Sequence, residues 1–211
     1  MKRYEIITDA DVSRLDAGET VALHAGGLIT PLAKDSLKAK RITVIREDRL
    51  DAADEDLIPA AVIRTIAIGS DHSGLALKRA LVSALRGRGF AVDDLGTRDT
   101  EPVDYPDTAG AVARAVSRGE ADAGIVIDAV GMGSAIVANK VDGVRAAVCT
   151  DRTTARHARE YVGANVLSLG ATVVGVDEAQ AIVDTWLTTV IREPNDVRRL
   201  AKIRALEQHR R

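Results

Sequence analysis

The segment AGIVIDAVGMGSAIVANK, residues 123–140, decides the fold. Its first six residues form a continuous apolar run that ends in Asp128, which is typical of a strand covered on both faces of a parallel sheet. Gly131 and Gly133 then allow the backbone to turn tightly and to approach a ligand closely. The segment therefore predicts a strand, a ligand-facing loop and a helix in direct succession.

The same alternation of strand and helix extends in both directions over residues 61–211. Further apolar runs predict strands at 63–69, 90–96, 144–149 and 164–170, with helical patterns between them and a basic amphipathic helix at 195–211. This order predicts an α/β domain, a Rossmann-like three-layer sandwich with a parallel sheet. Ligands of such domains bind at the carboxyl ends of strands, at a topological switch point.

The first 46 residues follow a different pattern, which predicts a small N-terminal strand–helix–strand extension over 1–46. Its strands are expected at 20–24 and 41–45. Its helix is expected to begin at Thr30 and Pro31, a hydroxyl N-cap followed by proline. Residues 47–60 are densely charged and predict a surface linker.

Composition excludes several classes of protein. Hydrophobic residues make up 46% of the 211 residues and charged residues 28%, which is typical of a globular chain. A net charge of −2 and 2% aromatic residues argue against a nucleic-acid partner. The single cysteine, Cys149, excludes an intrachain disulfide and a multi-cysteine zinc site. No apolar run approaches the roughly 20 residues of a membrane span, and the polar N-terminus does not predict a signal peptide, so we expect a cytoplasmic protein.

Polar residues follow two of the predicted strands directly. Asp71 and His72 lie between a strand and a helix, whose free N–H groups favour anions; the structural alternative is that Asp71 only caps the helix. Asp128 ends a buried strand, where a carboxylate must find a partner or shift its pKa. His157 and Tyr161 are four residues apart on a helix and share a face.

Five blocks in order carry a resemblance to a known family: GSDHSG (69–74), VDYPD (103–107), GMGSAIVANKVDGVRAA (131–147), TTARHAR (153–159) and GANVLSLG (163–170). They resemble the ribose-5-phosphate isomerase B / galactose-6-phosphate isomerase family. The resemblance implies a Rossmann-like sandwich that forms dimers or tetramers with active sites built from two subunits. It also implies interconversion of aldose and ketose phosphates through an enediol, without a metal or an organic cofactor.

The resemblance assigns roles to five residues. Asp71 and His72 match the family's Asp-His pair, which contacts the sugar and assists ring opening. Tyr105 matches a tyrosine of the site. Gly131 and Gly133 match the loop whose amides line the site.

The sequence departs from the family at the expected base. The family loop begins Cys-Gly-Thr-Gly, and its Cys is the usual proton abstractor; Asp128 stands at that position here. A second branch of the family uses a Glu at the position of Ser134. The His-Asn pair of the family is replaced by Tyr161 and Val162.

The phosphate-binding residues are also incomplete. The family often carries two arginines near the C-terminus. Arg198 or Arg199 matches one of them, and the other is lost near Asn195. Arg145 is a further candidate for the phosphate.

The first hypothesis is therefore a sugar-phosphate isomerase acting on a tetrose, pentose or hexose phosphate. Asp128 would be the base, with its pKa raised by burial, and His72 would protonate the ring oxygen. Tyr161, helped by His157, would donate to a substrate oxygen. The chain would act as a homodimer or homotetramer. The predicted substrate-binding residues are Asp71, Tyr105, Gly131, Gly133, Ser134, Tyr161, Arg198 and Arg199.

The alternative is a non-catalytic subunit, or a sugar-phosphate-binding paralogue that needs a Cys-bearing partner. The segment that starts with Ile-Asp-Ala at Ile127 resembles one subunit of galactose-6-phosphate isomerase, and the resemblance implies that the Cys comes from the partner subunit. That subunit keeps the His-Asn pair that is absent here, so the chain matches neither subunit completely. A redox or nucleotide-binding protein is disfavoured because no GxGxxG follows the first strand of the main domain.

The N-terminal segment LITPLAKDSLKAKRI, residues 28–42, carries a second, shorter resemblance. It resembles segments fused to some enzymes of bacterial microcompartments, such as an ethanolamine-utilisation adenosyltransferase. The interpretation we favour is a subdomain that extends the sheet or the oligomer interface.

Overall fold

A computed structural model describes residues 2–46, 57–59, 62–191 and 194–208. The chain forms two compact units, Met1–Ala53 and Asp54–Arg211. The predicted linker, residues 47–60, lies outside the described residues except for 57–59. In the described part of the chain, no helix is long and apolar enough to cross a membrane, and the cytoplasmic location stays a prediction.

The first unit is a parallel sheet of three strands in the order β1-β2-β3. Its elements are β1 (Arg3–Ile7), α1 (Asp9–Ser13), β2 (Thr20–Ile29), α2 (Pro31–Ala39) and β3 (Thr43–Arg46). Thr30 caps α2 by accepting from the amide of Ala33, as the sequence predicts. The described strands of this unit form a sheet of their own, and its role as an extension of the sheet or of the oligomer interface stays a prediction.

β2 continues to Ile29, past the end that the sequence predicts at His24, and a bulge explains the difference. Tyr4 pairs with Leu23, but Ile6 pairs with Leu28, so residues 24–27 of β2 oppose a single residue of β1. Gly27 lies so close to β1 that a Cβ there would come within 2.7 Å of the Glu5 carbonyl oxygen. Bulged residues interrupt the alternation of side chains that identifies a strand in sequence.

The second unit is a parallel sheet of five strands in the order β5-β4-β6-β8-β7. The strands are β4 (Thr65–Ser70), β5 (Ala91–Asp94), β6 (Ala123–Asp128), β7 (Ala146–Val148) and β8 (Val166–Gly170). The helices are α3 (Leu75–Gly87), α4 (Tyr105–Ser117), α5 (Met132–Ala138), α6 (Arg152–Glu160), α7 (Val176–Thr188) and α8 (Pro194–Gln208). The predicted α/β fold with a parallel sheet is confirmed.

Helices cover both faces of this sheet and make the fold a three-layer sandwich. On one face, Ile66 and Ile68 of β4 pack in a core with residues of α3, α6 and α7, including Trp186. On the other face, Ala67 packs with Val112 and other residues of α4 and α5. Successive strand residues point to opposite faces, which is why both faces must be apolar here.

The strand order places a switch point between β4 and β6. The chain leaves β4 to form β5 on one side and returns through α4 to form β6 on the other. The loops that follow β4 and β6 therefore meet, and the amide of Asp71 donates to the carbonyl of Ile127 at 3.3 Å. Ligands of open α/β sheets bind in such a crevice.

Candidate active site

Asp71 directly follows β4 and organises the turn into α3. Its Oδ1 accepts from the amide of Ser73 at 3.0 Å, the Ser73 hydroxyl at 2.6 Å and the amide of Gly74 at 3.1 Å. One carboxylate oxygen of this buried side chain is therefore engaged in the turn. The structural alternative, that Asp71 caps the helix, is wrong, because the N-cap of α3 is Gly74 and it has no side-chain cap.

His72 is exposed beside Asp71 and receives a backbone hydrogen bond. The amide of Val103 donates to its Nδ1 at 3.3 Å. Because Nδ1 accepts, this bond assigns the proton of the neutral ring to Nε2. The His72 side chain can therefore offer an Nε2–H donor to an oxygen of a bound molecule.

Asp128 ends β6, and its carboxylate is buried under the following loop. Oδ1 accepts from the amides of Val130 at 2.8 Å and Gly131 at 2.5 Å, and Oδ2 accepts from the amide of Ser134 at 2.8 Å. Burial alone would raise the pKa of Asp128, but the hydrogen bonds from Ser134, Gly131 and Val130 outweigh it and lower the pKa below its usual value. The expectation of a raised pKa is wrong because the hydrogen bonds from its own loop, those of Ser134 first, stabilise the charge.

The loop that Asp128 holds also packs on the end of β8. Gly131 has a φ of +82°, which favours glycine, and its carbonyl accepts from the Ser168 hydroxyl at 2.5 Å. A Cβ at Gly170 would lie 2.7 Å from the carbonyl carbon of Val130. The loop conformation is therefore fixed by the Ser168 hydroxyl, by the close approach of Gly170 to Val130 and by the Asp128 carboxylate.

Tyr105, the first residue of α4, lies over this loop. A Cβ at Gly133 would come within 2.7 Å of Cζ in the Tyr105 ring, so only glycine permits the ring to rest there. The structure thus brings Tyr105 and the glycine loop together at the switch point. Ser134 is buried beneath, where its amide holds Asp128.

Tyr161 lies at the end of α6, where its ring meets the edge of His157 at a centroid distance of 5.1 Å. The two rings line a polar cleft of about 390 Å³ that α6 and the end of α7 enclose. The residues that line this cleft do not include Asp128 or His72. The structure therefore places Tyr161 in a cleft that Asp128 and His72 do not line.

The arginines predicted to bind a phosphate already have polar contacts or are partly covered. Arg199 forms an ion pair with the buried Asp196 of the same helix. Arg145 donates to the carbonyls of Gly163 and Leu57, both at 2.9 Å. Among the described residues, the buried Nε of Arg198 has no hydrogen-bond partner.

Two cations that the sequence does not mark as site residues are buried in the structure. Lys78 of α3 donates to Asp94 at 2.5 Å and to the carbonyl of Thr97 at 2.6 Å. Arg159 of α6 donates to the Ala164 carbonyl and stacks over Trp186 at 5.0 Å, and burial lowers its pKa to about 10. Each lies on the apolar face of its helix, and that position is the signal that could have identified it.

Cys149 lies in the core and is not part of the site. It is almost fully buried, and burial raises the pKa of its thiol to about 11. We expect the thiol to resist alkylation by iodoacetamide at pH 8 in the folded protein, because the thiolate is the reactive form. Labelling in denaturant should be complete, which mass spectrometry can measure. Rapid labelling of the folded chain would contradict this assignment.

The fold defines a parallel α/β protein in which polar loops meet at a switch point. The family described as Ribose/Galactose Isomerase matches residues 66–203. The chain is 43% identical over 148 residues to ribose-5-phosphate isomerase B of Escherichia coli, covering 70% of this chain and 99% of the relative. It therefore belongs to the ribose/galactose isomerase family, and the resemblance in its sequence is confirmed.

Two further proteins show how wide this similarity is. Galactose-6-phosphate isomerase subunit LacB of Clostridium acetobutylicum is 39% identical over 122 residues, covering 58% of this chain and 70% of the relative. The structure of Clostridium thermocellum ribose-5-phosphate isomerase B is 49% identical with a TM-score of 0.69, covering 70% of this chain and 99% of that one. The prediction of a sugar-phosphate isomerase is thus confirmed at the level of the family.

Proposed function

We propose that the chain interconverts the aldose and ketose forms of a phosphorylated sugar of four to six carbons through an enediol. The observation that carries this proposal is that the loops after β4 and β6, which hold Asp71, His72 and the loop glycines, are joined at the switch point by the bond from the Asp71 amide to the Ile127 carbonyl. The relatives named for ribose-5-phosphate and galactose-6-phosphate support this substrate class.

In this proposal His72 opens the sugar ring. Its Nε2–H group, left available by the bond from Val103 to Nδ1, donates to the ring oxygen. A positioned general acid of this kind accelerates proton transfer by roughly 10²–10⁴-fold. Tyr105 and the loop glycines form the wall against which the open chain lies.

Asp128 is the base in this proposal. Its lowered pKa keeps it ionised and able to accept a proton, but it also makes the carboxylate a weak base. Its three amide hydrogen bonds favour the charged form, so they weaken when it takes the proton. Proton abstraction is therefore expected to limit the rate.

The phosphate is assigned to Arg198 and Arg199 of α8. A guanidinium can bind phosphate through two parallel hydrogen bonds. Arg199 must then share its charge between the phosphate and Asp196. This competition predicts weaker phosphate binding than two unpaired arginines would give.

The test incubates the purified chain in deuterated water with a panel of four- to six-carbon aldose phosphates. Deuterium should enter at C1 or C2 of at least one sugar, as detected by NMR and mass spectrometry. If no sugar phosphate exchanges with a folded chain, the catalytic proposal fails.

The hydrogen bonds of Asp128 to three amides also support a second function, because a carboxylate with a purely structural role would make the same bonds. In that case the chain is a non-catalytic subunit that binds a sugar phosphate and works with a Cys-bearing paralogue. Exchange that appears only when such a paralogue is added would favour this function. Exchange by the chain alone would refute it.

We also propose that the chain is a homodimer or homotetramer with shared active sites. Met132 and Ile136 lie one turn apart on α5, beside the loop, and are 63% and 62% exposed. Changing both to Glu should dissociate the oligomer because charges would enter an apolar contact. Sedimentation velocity measures the change, and Val62→Glu, at an apolar residue 66% exposed outside α5, is the matched control. An unchanged sedimentation coefficient would contradict the use of this face.

A further inference from the structure

We propose that Lys78 is a positioning residue for His72. It fixes the segment from Asp94 to Val103, so that the amide of Val103 holds His72 in the Nε2–H form. The consequence for catalysis rests on the proposed role of His72 as an acid, whereas the effect on the ring's tautomer does not.

The first step is the burial of Lys78. Its side chain is 1% exposed, and its Nζ donates to the Asp94 carboxylate at the end of β5 and to the carbonyl of Thr97. A buried ammonium group requires such partners, since its desolvation is costly. One cation on α3 therefore holds both the end of β5 and the turn that follows.

The second step is the contact of this turn with β4. The amide of Leu95 donates to Ile68 at 2.8 Å, and the amide of Thr97 donates to Ser70 at 3.0 Å. Between them, a Cβ at Gly96 would come within 2.3 Å of the Ser70 nitrogen. The turn is thus packed against the residue that directly precedes Asp71 and His72.

The third step continues along the segment to His72. Arg79, the neighbour of Lys78 on α3, donates to the carbonyl of Arg98 at 2.6 Å. Asp99 then accepts from the amide of Glu101 at 3.1 Å. The segment held in this way ends with the Val103 amide at the Nδ1 of His72.

The consequence is a fixed tautomer on an exposed ring. A backbone N–H donor at Nδ1 is incompatible with a proton on that nitrogen, so the neutral ring must carry its proton on Nε2. Without the held segment, the ring of His72 would populate both tautomers. Only the Nε2–H form can donate to a substrate while Nδ1 faces Val103.

The experiment compares the tautomers of His72 by ¹⁵N NMR in the full chain. Val103→Pro removes the donating amide, and Val103→Ala keeps it as the matched control. The double variant Lys78→Met, Asp94→Leu removes the ion pair without leaving a lone buried charge. We expect the Nδ1–H form to rise in the proline and double variants and to stay at the wild-type level in the alanine variant.

The same variants are also compared by steady-state kinetics. In the proline and double variants kcat should fall about tenfold or more with KM little changed, since a misplaced acid affects proton transfer rather than binding. Wild-type tautomers in both folded variants would overturn the proposal, and a shift in the proline variant alone would overturn the role of Lys78. A third outcome is that the spectra change as expected but the wild type turns over no sugar phosphate. That outcome would contradict the proposed function but not the positioning of the ring.

Discussion

Asp128→Asn should lower the rate of deuterium entry at C1 or C2 by about 100-fold or more, the contribution typical of a general base. An amide cannot take up the substrate proton, although its oxygen can still accept from Val130 and Gly131. The measurement is the initial exchange rate in deuterated water with the sugar phosphate that the wild type turns over.

The control must separate loss of the base from loosening of the loop. The side-chain amide of Asn would face the Ser134 N–H, which is also a donor, so the variant is expected to disturb the loop to some extent. Ser168→Ala removes the hydroxyl that donates to the Gly131 carbonyl and loosens the same loop without changing the carboxylate. A small loss, equal in the two variants, would show that Asp128 only holds the loop and is not the base.

The sequence predicts the main sheet well because its central strands are buried on both faces. The apolar run at 123–128 coincides with β6, and the runs around β4 and β8 overlap these strands closely. β1 was missed because only Ile7 in it is buried, so RYEII lacks an apolar pattern. Strands that are buried on both faces can therefore be predicted from the sequence, whereas a largely exposed strand cannot.

The site could be predicted in its residue types but not in its electrostatics. Asp71 and His72 were found because polar residues after a buried strand lie at the ligand-binding edge of the sheet. The pKa of Asp128 was predicted in the wrong direction because it depends on which way the amides of residues 130–134 point. Lys78 was overlooked because its charge, read in the sequence, suggested an exposed residue.

Asp94→Leu should destabilise the fold more than Lys78→Met, although the two changes break the same ion pair. The first leaves the ammonium of Lys78, 1% exposed, with the Thr97 carbonyl as its one partner in the described part of the chain. The second leaves Asp94, which is 25% exposed and can be solvated by water. We expect Asp94→Leu to cost about 3–5 kcal/mol, the range for a buried charge that loses its partner, and Lys78→Met to cost clearly less.

Urea unfolding at neutral pH measures these costs. Asp94→Asn is the matched control, because it keeps an oxygen for Lys78 and for the amide of Gly96 while removing the charge. The double variant Lys78→Met, Asp94→Leu should be more stable than Asp94→Leu alone, since no charge then stays buried without a partner. The expectation is contradicted if Lys78→Met lowers the free energy of unfolding more than Asp94→Leu does, or if the double variant is less stable than Asp94→Leu. In either case, desolvation of the ammonium is not the main cause of the stability loss. The segment that leads to His72 would then be held by packing rather than by the ion pair.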